Sequence, residues 1–239
     1  MSKDSRKILA ISAISEGEIR EIGKKYRFGK IKDVKTRYYP YIYFTFSYDE
    51  MKGILHRRSI ERKGESVLDS SWYLYPVTDF EKFFKKNLVQ PYAGVSEETV
   101  SVKSVSYAKI DDPTMVVKGA FEAIMNYVSM KEGEFASRVT QTKESTKGLL
   151  QEAGRLARSG HVLTARIISD RVKFARGSAE KEQNKFLRTV SKKFRKCFGA
   201  DAIKKILTAE IFYCPRYILM LEDGNTSMLD HEGREISQF

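Results

Sequence analysis

Arg166, Lys173, Lys181, Lys185, Arg188, Lys192, Arg195 and Lys196 recur at intervals that place them on one side of a helix. Asp170 is the main acid among them, Arg176 adds a further cation, and Phe174 lies within the ridge. Ammonium and guanidinium groups in such a row suit phosphate oxygens. They bind through counterion release and read little sequence. A phenylalanine among them can stack on a base or lie on another protein. An ordinary solvated helix face mixes signs, and this one largely does not, which favours a polyanion.

A second basic cluster, Lys24, Lys25, Arg27, Lys30, Lys32, Lys35 and Arg37, leads into Tyr38, Tyr39, Tyr41 and Tyr43, with Arg57 and Arg58 on the strand that follows. Cations beside exposed tyrosines suit a stacked single strand. The same tyrosines equally suit a strand packed into a core.

Bond cleavage asks for more. A metal-dependent nuclease needs clustered carboxylates. The candidates are Asp69 with Asp79 and Glu81, and Glu222, Asp223, Asp230 and Glu232. Asp79 and Glu81 are explained by a helix cap that starts at Thr78. The second set lies on turns, where acids are common, and its spacing matches no EF-hand. Cys197 and Cys214 are the only cysteines, and His56, His161 and His231 are scattered, so no zinc spacing exists. No P-loop, dinucleotide glycine motif or nucleophile elbow is present. The reading is a non-enzymatic protein without metal or cofactor.

The 239 residues carry a formal net charge of +12. DNA or RNA is the first partner such a chain suggests, while an acidic protein or an anionic membrane surface fits the same charge. Hydrophobic residues at 41% and aromatics at 12% exclude wholesale disorder. The apolar run from Ile8 to Ile14 passes directly into Glu16-Gly17-Glu18 and reads as a buried strand rather than a signal peptide. No stretch approaches the ~18 apolar residues of a membrane span. The sparse cysteines suit a reducing cytoplasm.

The ridge must be held by a helix, and the helix by a partner. Phe135, Val139, Thr142, Thr146, Leu149, Ala153 and Leu156 step by three and four, as do Ala165, Ile168, Val172, Ala175, Ala179, Phe186 and Val190. Ser159-Gly160-His161 stands between them as a helix stop and turn. This predicts an antiparallel hairpin over roughly Glu134 to Phe198, its second arm outrunning the first. Its seam is soft, rich in alanine and threonine, which invites a homodimer through the hairpin or a partner helix.

Around it the pattern is mixed. A strand is predicted over 7–14 and a helix over 16–26, opened by the Ser15/Glu18 capping box. A strand follows over 30–48, with Pro40 at an edge, a bulge or a strand start. Strands at 52–60 and 66–75 are joined by a turn at Arg62-Lys63-Gly64-Glu65. A strand runs from Val100 to about Ile110, and Pro113 opens an apolar, buried helix over Met115 to Met130. Further strands lie over 203–221 and 226–229, around an Asp223-Gly224 turn.

Two stretches resemble each other. Tyr26-Arg27-Phe28-Gly29 precedes a strand with Tyr39-Pro40-Tyr41, and Lys196-Cys197-Phe198-Gly199 precedes one with Cys214-Pro215-Arg216. Duplication of a small β unit predicts two such units about a pseudo-two-fold axis. The expected fold is α+β. A β-rich N-terminal part (1–112) and C-terminal strands (200–239) pack together, with a helical region (113–199) inserted between them. The leading function is sequence-independent nucleic-acid binding. A structural or assembly protein, working through the hairpin and edge strands, and a nuclease are the alternatives.

Overall fold

The computed structural model describes residues 5–52, 58–70, 84, 88–89, 94–106, 110–200 and 202–236. The chain is α+β and divides into two compact units, Met1–Ala120 with Ile203–Phe239, and Phe121–Ala202. The first is built on a mixed sheet and the second on helices.

The sheet strands are β1 (Ser5–Ile11), β2 (Ile31–Lys52), β3 (Arg58–Asp69), β4 (Leu88–Val89), β5 (Val95–Ser101), β6 (Lys205–Leu221), β7 (Thr226–Leu229) and β8 (Glu235–Ile236). Their order is β4-β3-β2-β6-β1-β5, with β7 on β6 and β8 on β7. The two long strands β2 and β6 pair antiparallel through the middle, so segments from both ends of the chain share one sheet. Helix α1 (Glu16–Lys25) starts at the predicted capping box, where the Ser15 hydroxyl accepts from the Glu18 N–H and Glu18 reaches back to the Ser15 N–H. Its Ile19 is buried with Tyr217, Leu219, Leu221 and Leu229, which fixes the helix on one sheet face.

Two strand expectations are corrected. No turn forms at 62–65, because β3 runs unbroken from Arg58 to Asp69 along β2. Gly64 is there for space rather than for a turn. It pairs with Phe46, whose ring occupies the volume that a Cβ would need. Phe46 is itself fully buried. Gly64→Ala is expected to destabilise the β unit by roughly 1–3 kcal/mol, the usual cost of overpacking, read as a lower urea midpoint at unchanged slope. The strand predicted from Val100 to Ile110 instead begins at Val95 and ends at Ser101, where a 3₁₀ turn over Val102–Ser104 follows. The Thr78 cap and its helix lie outside the described residues.

Pro40 lies within β2, opposite Tyr213 of β6, and has no ladder partner on its other side, as expected of an edge position. Its carbonyl accepts from the Ser70 hydroxyl on the β3 side. In a strand the N and the C=O of one residue point the same way, so the missing N–H also faces β3, whose ladder stops one residue away at Tyr41–Asp69. Pro215 falls likewise between the Ala10–Tyr213 bridge to β1 and the Tyr217–Leu229 pairing to β7. The two prolines are symmetric about the Tyr39–Cys214 pair, since Tyr38 meets Pro215 and Pro40 meets Tyr213. Any antiparallel pair of strands has such a local two-fold, here centred between the two prolines.

The helical unit continues α2 (Pro113–Ser145) and adds α3 (Lys147–Arg158) and α4 (Val162–Phe198). Asp112 Oδ1 accepts from the N–H groups of Thr114 and Met115, capping α2 with Pro113 in its first turn. The helix predicted over 115–130 and the first hairpin arm are one continuous helix. Gly133 alone does not break it, and Lys131 pairs with Glu134 at 2.8 Å across the junction. The first arm therefore spans Pro113 to Arg158, and the second does not outrun it. The 115–130 stretch is amphipathic rather than buried all round. Ile124 and Val128 are buried, and Met115, Met125 and Met130 are exposed.

Candidate nucleic-acid interface

The hairpin turn lies where the sequence places it. α3 ends at Arg158, Gly160 adopts φ +88°, and α4 starts at Val162. Ala153, Ala165 and Val172 are buried in the seam near this end. Farther along, Phe135 lies 5.6 Å from Phe186 and Phe121 lies 5.5 Å from Phe198, centroid to centroid.

The seam differs from its prediction at two positions. Leu149 and Ala175 are exposed, and Arg176 turns inward toward the first arm. Its Nε donates to Thr146 Oγ1 at 2.8 Å, and its Nη2 donates to the Lys143 carbonyl at 3.0 Å. Arg176 is thereby turned away from the other ridge cations, toward the first arm. Its partners explain the bend between α2 and α3. The hydroxyls of Ser145 and Thr146 both donate to the Thr142 carbonyl, and that of Thr142 donates to the Arg138 carbonyl. Hydroxyls returned onto helix carbonyls bend helices. The guanidinium takes one of the freed oxygens, so the cation is structural.

The remaining ridge residues Arg166, Lys173, Lys181, Lys185, Arg188, Lys192, Arg195 and Lys196 are all exposed on α4. Lys181, Lys185, Arg188 and Lys192 follow one stripe and, with Gly177, Glu180, Asn184 and Thr189, line an open groove of about 530 Å³. Among the described residues, none of those four cations pairs with a carboxylate. The one acid in the groove, Glu180, is held by Lys143 of the first arm at 3.3 Å. What remains is a row of cations with their charges turned to solvent. Arg166 is compensated, with its Nε 4.0 Å from Asp170.

The second basic cluster is different. Lys24 pairs with Glu21, Lys30 with Glu222 and Lys35 with Asp33, so acids are interleaved with it. Lys25, Arg27, Lys32 and Arg37 are exposed. Arg57 lies outside the described residues, and Arg58 opens β3. The tyrosines beside it are not a stacking platform. Tyr38 and Tyr41 are buried. Tyr39 lies under the Arg216 guanidinium, 4.4 Å from ring centroid to Cζ. Tyr43 donates its hydroxyl to Glu65, which together with burial pushes its pKa up to about 12.

Of the nuclease carboxylates, Asp79 and Glu81 lie outside the described residues, and Asp69, Glu222, Asp223 and Asp230 are held by neighbouring groups. Asp69 is buried and bonds Arg216 at 2.7 Å. Asp230 accepts from the N–H groups of Glu232 and Arg234 and pairs with the Arg234 side chain at 2.9 Å. Asp223 closes its turn through Asn225. No group of three or more metal-ligating side chains occurs among the described residues. The Cys214 thiol is driven up by burial and then by the nearby Asp69 charge, which leaves it unreactive.

No family model, curated protein or solved structure matches this chain. No helix among the described residues is long and apolar enough to cross a membrane.

Two exposed residues of α4, Leu163 and Ile167, lie on the same line as the cationic stripe and were not singled out by the sequence reading. The signal was present, because their spacing to Phe174 continues that of the stripe. The seam residues Ala165, Ile168 and Val172 lie on the opposite face.

Proposed function

We propose that the protein binds nucleic acid non-enzymatically, through phosphate contacts along the outer face of α4. The observation that supports this is the row of Lys181, Lys185, Arg188 and Lys192 along an open groove, none paired with a carboxylate among the described residues. Successive side chains on this face stand about 5–6 Å apart along the helix, close to the spacing of phosphates on a strand. The contacts are to the backbone, so sequence preference is weak.

The test is fluorescence anisotropy of labelled DNA and RNA across a salt series. Four phosphate contacts give a log–log slope of about −3, and more if further cations join. A flat salt response, or binding seen only at very low salt, would leave the stripe as a solvated face.

A further inference from the structure

The line that carries the cations has an apolar half. Leu163, Ile167, Asp170 and Phe174 follow in steps of four, three and four, and the same steps run on through Gly177, Lys181, Asn184 and Arg188. Leu163 is 78% exposed, Ile167 56% and Phe174 79%. Phe174 lies two turns before Lys181, about 10 Å along the axis. The line is thus apolar near the hairpin turn and cationic toward Lys192.

Charge selects what covers the apolar half. Arg166 and Lys173 flank it on one side and Arg171 on the other. A second copy laid along it would bring these cations against cations, which is unfavourable. An anionic ligand is favoured, and the cationic half continues the same surface.

We propose that one ligand occupies the whole line and that it is a single-stranded nucleic acid. This rests on the phosphate-binding reading above. Phosphates lie on Lys181, Lys185, Arg188 and Lys192. An unstacked base lies on Phe174, with Ile167 and Leu163 against its neighbour. Leu163, Ile167, Asp170 and Phe174 put no cation on the apolar half of the line, and Asp170 is paired with Arg166, so the bases rather than the backbone lie there. A duplex keeps its bases stacked inward and can use the cationic half only. A single strand uses both.

Anisotropy separates the two halves when three probes of equal length are compared: a single strand, a duplex, and an abasic strand with the same phosphates. Phe174→Ala is expected to weaken the intact strand about tenfold and to leave the duplex and abasic strand unchanged. Leu163→Ala/Ile167→Ala/Phe174→Ala should widen that difference, with helicity unchanged because all three side chains are exposed. An intact strand bound equally well by the triple variant would overturn the inference and leave phosphate binding standing. Loss of binding to phosphatidylserine vesicles with strand binding retained would overturn it too, and would assign the apolar half to a lipid surface. Failure of the phosphate reading shows separately, as wild-type protein that binds none of the three probes.

Discussion

Replacing Lys181, Lys185, Arg188 and Lys192 together with glutamate is expected to abolish nucleic-acid binding while the chain stays folded. The four side chains are exposed, and none pairs with a carboxylate among the described residues, so no native ion pair is broken. The substitution takes the formal net charge from +12 to +4, since each of four cations becomes an anion. Locally it turns an attractive stripe into a repulsive one. Replacing the four with glutamine is the milder form. It should flatten the salt slope by about 3, the share of four phosphates, and weaken duplex and single strand alike. Arg176 is deliberately left in place, because its guanidinium holds Thr146 and Lys143 of the first arm. Circular dichroism and the urea midpoint check that the fold survives. A folded glutamate variant that binds as the parent does would move the affinity off α4, and the exposed Lys25, Arg27, Lys32 and Arg37 would be the next place to look.

The largest effect on stability is expected at Asp69. Its carboxylate is 10% exposed and bonds Arg216, which is 15% exposed, at 2.7 Å. Burial works against the Arg216 charge, and Tyr41 and Asp69 beside it outweigh that burial, so its proton is held more tightly than usual. The Tyr41 hydroxyl accepts from the same Nη2 at 2.8 Å. Asp69→Ala leaves a buried guanidinium without its counter-charge, at a cost of about 3–5 kcal/mol. Replacing Asp69 and Arg216 together by apolar residues of similar volume should restore part of that loss, because the uncompensated charge is gone. Urea unfolding of the two single variants and the double variant measures this coupling directly. Additive losses would mean that the pair is independent in the folded protein.

What was legible in the sequence was local. Ser15 with Glu18, Asp112 with Pro113, and Ser159-Gly160-His161 each hold their partners within a few residues, and each forms where it was expected. The α+β class followed from switches of period along the chain. What was not legible depended on residues far away. Gly64 reads as a turn until Phe46 of the neighbouring strand is set over it. Arg176 reads as one more cation until a hydroxyl and a carbonyl of the first arm, some thirty residues earlier, supply its acceptors. The ridge itself was legible because helical projection needs no tertiary knowledge, and that same projection contained Leu163 and Ile167.

The sheet joins residues that the ribosome makes far apart. β2 is complete at Lys52, and its central neighbour β6 begins only at Lys205. Until then β2 has β3 on one side and an open edge on the other, while β1 has only β5. An open edge that waits is an invitation to the wrong strand. The helical insert shortens the problem. Its contacts run between neighbours in a hairpin, which forms quickly. Once formed, it draws Phe121 and Phe198 to 5.5 Å between ring centroids, so its two ends lie side by side. The chain still to be closed between β2 and β6 is then shortened by the stretch from Phe121 to Phe198, which lowers the closure entropy modestly. A hairpin that fails to fold would delay the sheet without touching any of its strands.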